Sequence, residues 1–475
     1  MKNYSIIIVT ICIFLIPSCK KKELELFPYN QIETTQAFNT ENDANLALNG
    51  VYFGLRASGS YYQGTWNIIG EVTSDNVIIS QAGRLSQQIY HNWQYNGDNT
   101  YGLFAGGYTI IRRANAIIEN IDKVPGSSTA FINNVKGQAL ACRAMTYFDM
   151  ARVYSKSPLN ATASDSTVPY ITTTDPSIQP AKEPISGFYT KLINDLTTAG
   201  NLINASNGIA RFHKASVNGI LSKVYLYKGE WVNCIAAADA ALGSTPVLPN
   251  IATFPLIWTD GTESGVLFKI KNTLVDNSNT LGVNYYQPVG GGIRSEYVVD
   301  YSFRQLFLPA DVRTSTYIQT SIYNGVNQNH VVKYAGKTSF PVGVLDAKVL
   351  RTAEVLLNRA EAHYRNSNQI AALADLNLLK SNRITGYINA SLSGQALLDE
   401  ILLQRRLELA FEGDRFWDLK RRNVPVQRST FGDRADGTGT TYIFPTLAAG
   451  DFKFNFPIPQ TEINFNKSLK QVPGY

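Results

Sequence analysis

The chain has 475 residues, 44% hydrophobic and 17% charged, with a formal net charge of +6. That composition excludes a disordered chain, and the length buries one large core or two or three ordinary ones. Lysine and arginine are scattered apart from a few short runs, which excludes a nucleic-acid footprint, and the four histidines lack metal-ligand spacing.

The leader comes first. Lys2 supplies a positive start, and Ile6 to Ile16 is an apolar run too short to span a bilayer. Ile16-Pro17-Ser18-Cys19 follows, a small residue before a cysteine. This reads as a lipoprotein signal over residues 1–18, cut before Cys19, whose thiol then carries diacylglycerol. Two or three acyl chains at ~0.8 kcal/mol per buried methylene make a firm membrane anchor. The plainer reading is an ordinary secretory signal that contains a cysteine. Cys142 and Cys234, in alanine-rich helical surroundings, read as small core residues.

Helices follow in chain order. Apolar spacing predicts one over 36–55, another over 106–122 and a strong one over 131–154. Between the first two, 61–101 loses that period and carries Trp66, Asp75, Asn76, Trp93 and Tyr95. A polar loop over 155–183 ends at Pro184, which opens a helix over 185–202. Helices over 212–228 and 230–242 form a hairpin across Gly229, and 348–364 with 369–383 form a second. Both hairpins look like tetratricopeptide units. With 36–122 and 131–202 as units bearing long insertions, the count is four degenerate repeats. Between the two hairpins, 248–347 is rich in Gly, Tyr and Asn, with strand-like V-L-F-K-I. Gly290 to Gly292 lacks the Lys-Ser/Thr of a phosphate loop.

Gln404 to Asn423 is the densest cluster of charge and aromatics in the chain. Arg405, Glu408 and Glu412 share one helix face. Gly413 offers a helix cap and Asp414 a cap for the next helix. Glu408 and Glu412 read as ion-paired carboxylates of a helix junction rather than as a catalytic acid and base.

The run R-R-L-E-L-A-F-E-G-D-R-F-W-D-L-K-R, Arg405 to Arg421, resembles the C-terminal signature of the SusD/RagB family. Other stretches match the family in order: Ser74-Asp75, Asn115, Arg143-Ala144 with Tyr147-Phe148, Val168-Pro169, and Asp311 with Arg313. So do Lys348 to Tyr364 and the terminal P-I-P-Q-T-E-I-N-F-N and Q-V-P-G-Y. Phe104 stands where the family often has tryptophan, and Lys467 and Val472 are further departures. The resemblance implies a mostly α, SusD-like fold of four tetratricopeptide-type helix pairs with irregular insertions carrying short strands. It divides the chain into 19–247, a helical-repeat region, and 248–475, a C-terminal SusD/RagB region.

It also implies an outer-membrane lipoprotein facing outward that captures oligosaccharides or polysaccharides and delivers them to a SusC-like TonB-dependent transporter. The helical repeat face is then the side that meets the transporter, and the ligand lies in variable loops. Glycan binding needs flat rings for the C–H faces of pyranoses and nearby amides and carboxylates for the hydroxyls. Trp66, Trp93, Tyr95, Tyr285 and Tyr286 lie in polar-flanked insertions with Asp75 and Asn76 close by, so these seven are the expected ligand residues; each ring is equally a core candidate. No cofactor is expected, and a structural calcium ion is not readable from the residues. The alternatives are a peptide- or glycoprotein-binding member of the family, a structural or adhesion scaffold, or a secreted glycoside hydrolase. A hydrolase needs two carboxylates flanking the scissile bond.

Overall fold

The computed structural model describes residues 37–475 except 58, 60, 101 and 291; the leader and Cys19 lie outside the described residues. Helix α1 (Glu41–Arg56) starts where Thr40 and Asp43 bond reciprocally to each other's backbone N–H groups. A short buried helix α2 (Thr65–Val72) follows, then α3 (Leu103–Asn120), capped by no side chain. Helix α4 (Thr129–Tyr154) begins at Ser128, whose hydroxyl accepts from the Phe131 N–H. From Gly137 to Tyr154 every residue of α4 is buried, which makes it the central helix. Helix α5 (Ile185–Leu202) starts directly after Pro184, as expected.

Helices α6 (Lys214–Lys228) and α7 (Trp231–Leu242) turn at Gly229, whose φ of +74° is the left-handed region open to glycine. Helices α8 (Thr352–Arg365) and α9 (Gln369–Ser381) form the next hairpin. Successive helices pack side by side: α1 on α3, α4 on α5, α6 on α7 and α8 on α9. These are the four expected pairs. Helix α8 also packs on α7, so the array continues across the insertion between residues 242 and 352. Helix α10 (Gly394–Glu408) adds to α8, and α11 (Arg415–Arg421) lies against α2. One apolar cluster extends from Phe38 to Val472 and includes Cys142, while Cys234 packs in a satellite with Leu226 and Ala362.

The strands are short and pair two by two, always antiparallel. β1 (Val77–Ile79) pairs with β5 (Tyr297–Val299), and β2 (Val266–Ile270) with β8 (Ala347–Arg351). β3 (Gln287–Val289) and β4 (Gly292–Arg294) form a hairpin whose turn contains Gly290. β6 (Ile318–Tyr323) and β7 (Val326–Val331) turn at Asn324-Gly325, both at positive φ, the pairing that two-residue hairpins favour. β9 (Val426–Gln427) pairs with β10 (Thr446–Leu447).

The 404–423 stretch is an ion-paired junction, but its partners differ from those that helical spacing suggested. Glu408 receives Arg313, Arg351 and Arg383 at 3.4, 2.7 and 2.9 Å. Burial pushes its carboxyl up; Arg383 and Arg351 outweigh that and hold it well below the usual carboxylate range. Glu412 receives Lys333 at 2.7 Å and Arg351 at 3.0 Å. Arg405, its neighbour on the helix face, turns instead to Asp418 and Asn358, at 2.6 and 2.7 Å. Asp414 stands at the start of α11, yet its carboxylate is taken by Arg152 and Lys223, each at 2.8 Å. Gly413 has φ +82°, in a turn after α10 has ended at Glu408. Tertiary partners outcompete the local ones because these side chains are buried between α4, α6 and α8.

Candidate functional site

The insertions are tied to one another by buried polar side chains. Asp433 joins three of them. Its buried carboxylate accepts from the Gln81 N–H at 3.0 Å, from Gln328 Nε2 at 3.1 Å and from the Thr440 N–H at 2.9 Å. This ties the turn after β1, strand β7 and the loop 428–445 into one surface. The Ala435 N–H adds a bond to Asn327 O at 2.8 Å.

Arg428 anchors the start of that loop. Its guanidinium donates to Ser74 O, Val72 O and Phe444 O, and lies 3.9 Å from the Trp93 ring centroid. Asp300 anchors the other flank, accepting from the Tyr442 hydroxyl at 3.0 Å, from the Ser429 hydroxyl and from the Phe303 N–H. The loop thus presents side chains from a fixed frame.

Phe431 is 41% exposed, and its ring lies 4.8 Å from the half-buried Tyr301 ring. Gly437 backs both rings so closely that a Cβ there would lie 2.9 Å from Phe431 and 3.1 Å from Tyr301. Phe444 and Ile443 are exposed on the same loop, with Asp436 and Thr438 beside Gly437. Phe465, 77% exposed, lines a separate cleft beside α3, and two other exposed rings are less free. Phe53 is 54% exposed, but the guanidiniums of Arg56 and Arg113 lie over it at 5.0 and 6.0 Å. Phe452 packs edge-on against Tyr475 at 5.0 Å. The Tyr301–Phe431 pair can therefore meet an apolar ligand face, with hydroxyl and carboxylate groups around it.

The seven expected ligand residues lie elsewhere. Trp66 is buried in α2, stacked on Trp417 at 6.0 Å and capped by Arg152 at 4.6 Å. Trp93 is buried and its indole N–H donates to Thr73 O at 3.0 Å. Tyr95 is buried against Phe456 at 4.4 Å, its hydroxyl on Lys453 O. Tyr285 is buried among Tyr334, Tyr297 and Phe411. Asn76 is buried between Glu71 and Arg406, at 2.9 and 2.8 Å. Asp75 is gripped by Arg415 and Arg406; burial raises its carboxyl, and the two arginines outweigh that and hold it well below the usual range. So four of the five rings form no open platform, and the acid and amide spend their bonds inside the protein. Polar-flanked irregular sequence folded inward here, because partners hundreds of residues away cover it. Tyr286, beside β3, is only half-buried and keeps part of its surface.

Phe431 and Tyr301 escaped the sequence reading. The available signal was a lone phenylalanine in S-T-F-G-D-R-A-D-G-T-G-T-T, a run with no apolar period to bury it.

Among the described residues, no group of three or more His, Cys, Asp or Glu is placed to hold a metal ion, and no helix is long and apolar enough to cross a membrane.

Comparison with known proteins agrees along the chain. A model described as "SusD family" matches residues 269–475, and one described as "Starch-binding associating with outer membrane" matches residues 24–226. SusD-like protein P38 of Formosa agariphila is 24% identical over 90% of this chain and 92% of its own. A crystal structure of a putative sugar binding protein from Bacteroides vulgatus is 27% identical, with a TM-score of 0.82 over 92% of this chain and 99% of its own. A laminarin binding SusD-like protein has a TM-score of 0.70 at 21% identity over 92% of this chain and 100% of its own, a likeness of fold. With the four stacked helix pairs, the short paired strands and the ion-paired junction in place, the chain belongs to the SusD family.

Proposed function

We propose that the protein captures glycan chains on its loop-rich surface without hydrolysing them, with Tyr301 and Phe431 as the stacking platform. The observation that carries this is exposed Phe431, on a loop pinned by Asp433, Arg428 and Asp300, set beside the half-buried Tyr301 ring. The names of the relatives support it, since they include sugar binding and laminarin binding proteins. Glu408 and Glu412 are held by basic side chains deep in the junction, which suits a structural role. Cys19 supplies the lipid anchor in an outer membrane, on the extracellular side. The helix array faces a SusC-like TonB-dependent transporter, to which the captured glycan passes.

The test uses the protein from Lys20 onward in affinity gels and calorimetry against plant, host and microbial glycans, with released reducing ends followed in the same tubes. Retardation by a glycan that Phe431→Ala abolishes, with no new reducing ends, supports the reading. Release of reducing ends overturns it.

A second reading, capture of peptides, is favoured by an apolar cleft of about 280 Å³ between α3, residues 169–180 and the terminal segment. Arg112 and Glu462 line it without an ion pair among the described residues. A peptide arm in the same screen separates the two.

A further inference from the structure

The β9–β10 ladder has two ends. Gln427 and Thr446 lead into the loop that carries Phe431, while Val426 and Leu447 lead back to residues 424 and 450. At this second end lies a separate cleft of about 260 Å³, walled by the segment after α4, the end of α11 and residues 450–455.

Its lining holds polar groups whose hydrogen-bonding capacity is unspent. Asn423 carries no side-chain hydrogen bond among the described residues. Asp451 uses one carboxylate oxygen on the Lys453 N–H at 2.8 Å, and the other has no donor among the described residues. Asn160 spends its N–H₂ on Lys420 O and Arg421 O, at 3.3 and 3.2 Å, which leaves its oxygen open. Asn455 Oδ1 and the hydroxyl of Ser157, a residue only 6% exposed, are buried without a partner. Unsatisfied buried polar atoms are uncommon, and each is costly unless a ligand or water meets it. Phe454, stacked on Phe416 at 4.8 Å, adds an apolar patch.

The charge balance selects the ligand. Lys156 is paired with Asp165 at 2.9 Å, and the Lys420 ammonium donates to Arg152 O at 2.6 Å, so no cation waits for an anion. One carboxylate and several amide oxygens remain, a set suited to neutral hydroxyls that donate and accept at once. The volume falls just under the roughly 300–1,000 Å³ of drug-sized pockets, so it suits one sugar ring rather than a chain.

We infer that this cleft is a second saccharide site, taking a single neutral sugar unit through Asn423, Asp451 and Asn455. It rests on the glycan-binding reading only for the class of ligand; the platform and the cleft are separate surfaces on opposite ends of one ladder.

The experiment is saturation-transfer NMR and calorimetry on the protein from Lys20 onward with free D-glucose, D-galactose, D-mannose, D-xylose, L-fucose and L-rhamnose. The variants are Asn423→Gly, which suits the φ of +53° there, and Asp451→Asn, which keeps the oxygen that accepts from Lys453. Both are made in Phe431→Ala, which removes the platform. At least one sugar is expected to bind Phe431→Ala and to weaken tenfold or more when either cleft variant is added to it. Melting curves confirm that the variants are folded, and if one is not, the other decides. No signal from any sugar, or a signal that survives the cleft variants, overturns the inference. Polymer retardation in gels, read separately against Phe431→Ala, shows whether the platform reading has failed on its own.

Discussion

Arg415 closes on both carboxylate oxygens of Asp75, at 2.7 and 2.8 Å, across 340 residues of sequence. The pair locks the first insertion to the 404–423 junction, and both side chains are largely out of water. Removing one partner leaves a buried charge unmatched. Asp75→Asn is therefore expected to lower stability by about 3–5 kcal/mol in denaturant melts. Glycan retention per folded molecule should stay as it was. A loss of retention with an unchanged melt would instead place Asp75 at the ligand.

The platform makes the opposite demand. Phe431→Ala removes an exposed ring, so the melting temperature should hardly move. Loss of a stacking face is expected to weaken glycan binding roughly tenfold, or about 1.4 kcal/mol, in calorimetry. Trp66→Ala and Trp93→Ala should behave in reverse. Each empties a packed site at a cost of about 3–5 kcal/mol while the folded fraction binds normally.

A close approach of backbones gives a third expectation. A Cβ on Gly70 would lie 1.9 Å from the Gly413 carbonyl oxygen, inside any possible contact. Neither segment can retreat, since α2 is packed and the turn after α10 is held by Glu71 through the Gly413 N–H at 3.0 Å. Gly70→Ala should cost about 3 kcal/mol or fail to fold. Gly50→Ala, in α1 with nothing within 4 Å of its Cβ, should instead stabilise by about 0.5–1 kcal/mol.

Glu71 sets a pH dependence. Burial pushes its carboxyl up to about 7 from an ordinary 4.5, against the bonds from Asn76 and Gly413. Between those values the folded state holds more protons than the unfolded chain. Its contribution to stability is thus fully present below pH 4.5 and lost as pH rises through 7, a change of about 3 kcal/mol. Urea melts on the parent and Glu71→Gln should diverge by that amount in total between pH 4.5 and 8. Parallel curves would mean that Glu71 stays ionised throughout.

How much of this was legible follows from the range of the forces. The Ile185–Leu202 helix was readable to the residue, because Pro184 and an apolar period act within a few positions. The α6–α7 hairpin was readable because Gly229 makes its own turn. The ion pairs of the junction were legible as a class, yet Glu408 found Arg351 and Arg383 rather than Arg405, since only packing decides which buried arginine arrives. The site was the least readable part. Trp93 is covered by Arg428 and Tyr95 by Phe456, contacts spanning more than 300 residues that no local pattern records. Conversely, nothing near Phe431 in sequence announces that Tyr301 will stand beside it.

Cys142 and Cys234 are both buried and unbridged, and burial pushes each thiol up to about 12. From Lys20 onward they are the only sulfhydryls in the chain. A dissolved reagent can reach them only when the helices around them part, and only the rare thiolate reacts. The protein thus carries two built-in clocks, one in the central helix α4 and one in the α6–α7 hairpin. If they tick at the same rate in mild urea, the array opens as a single body; if Cys234 runs ahead, the stack peels from the hairpin while its central rod is still closed.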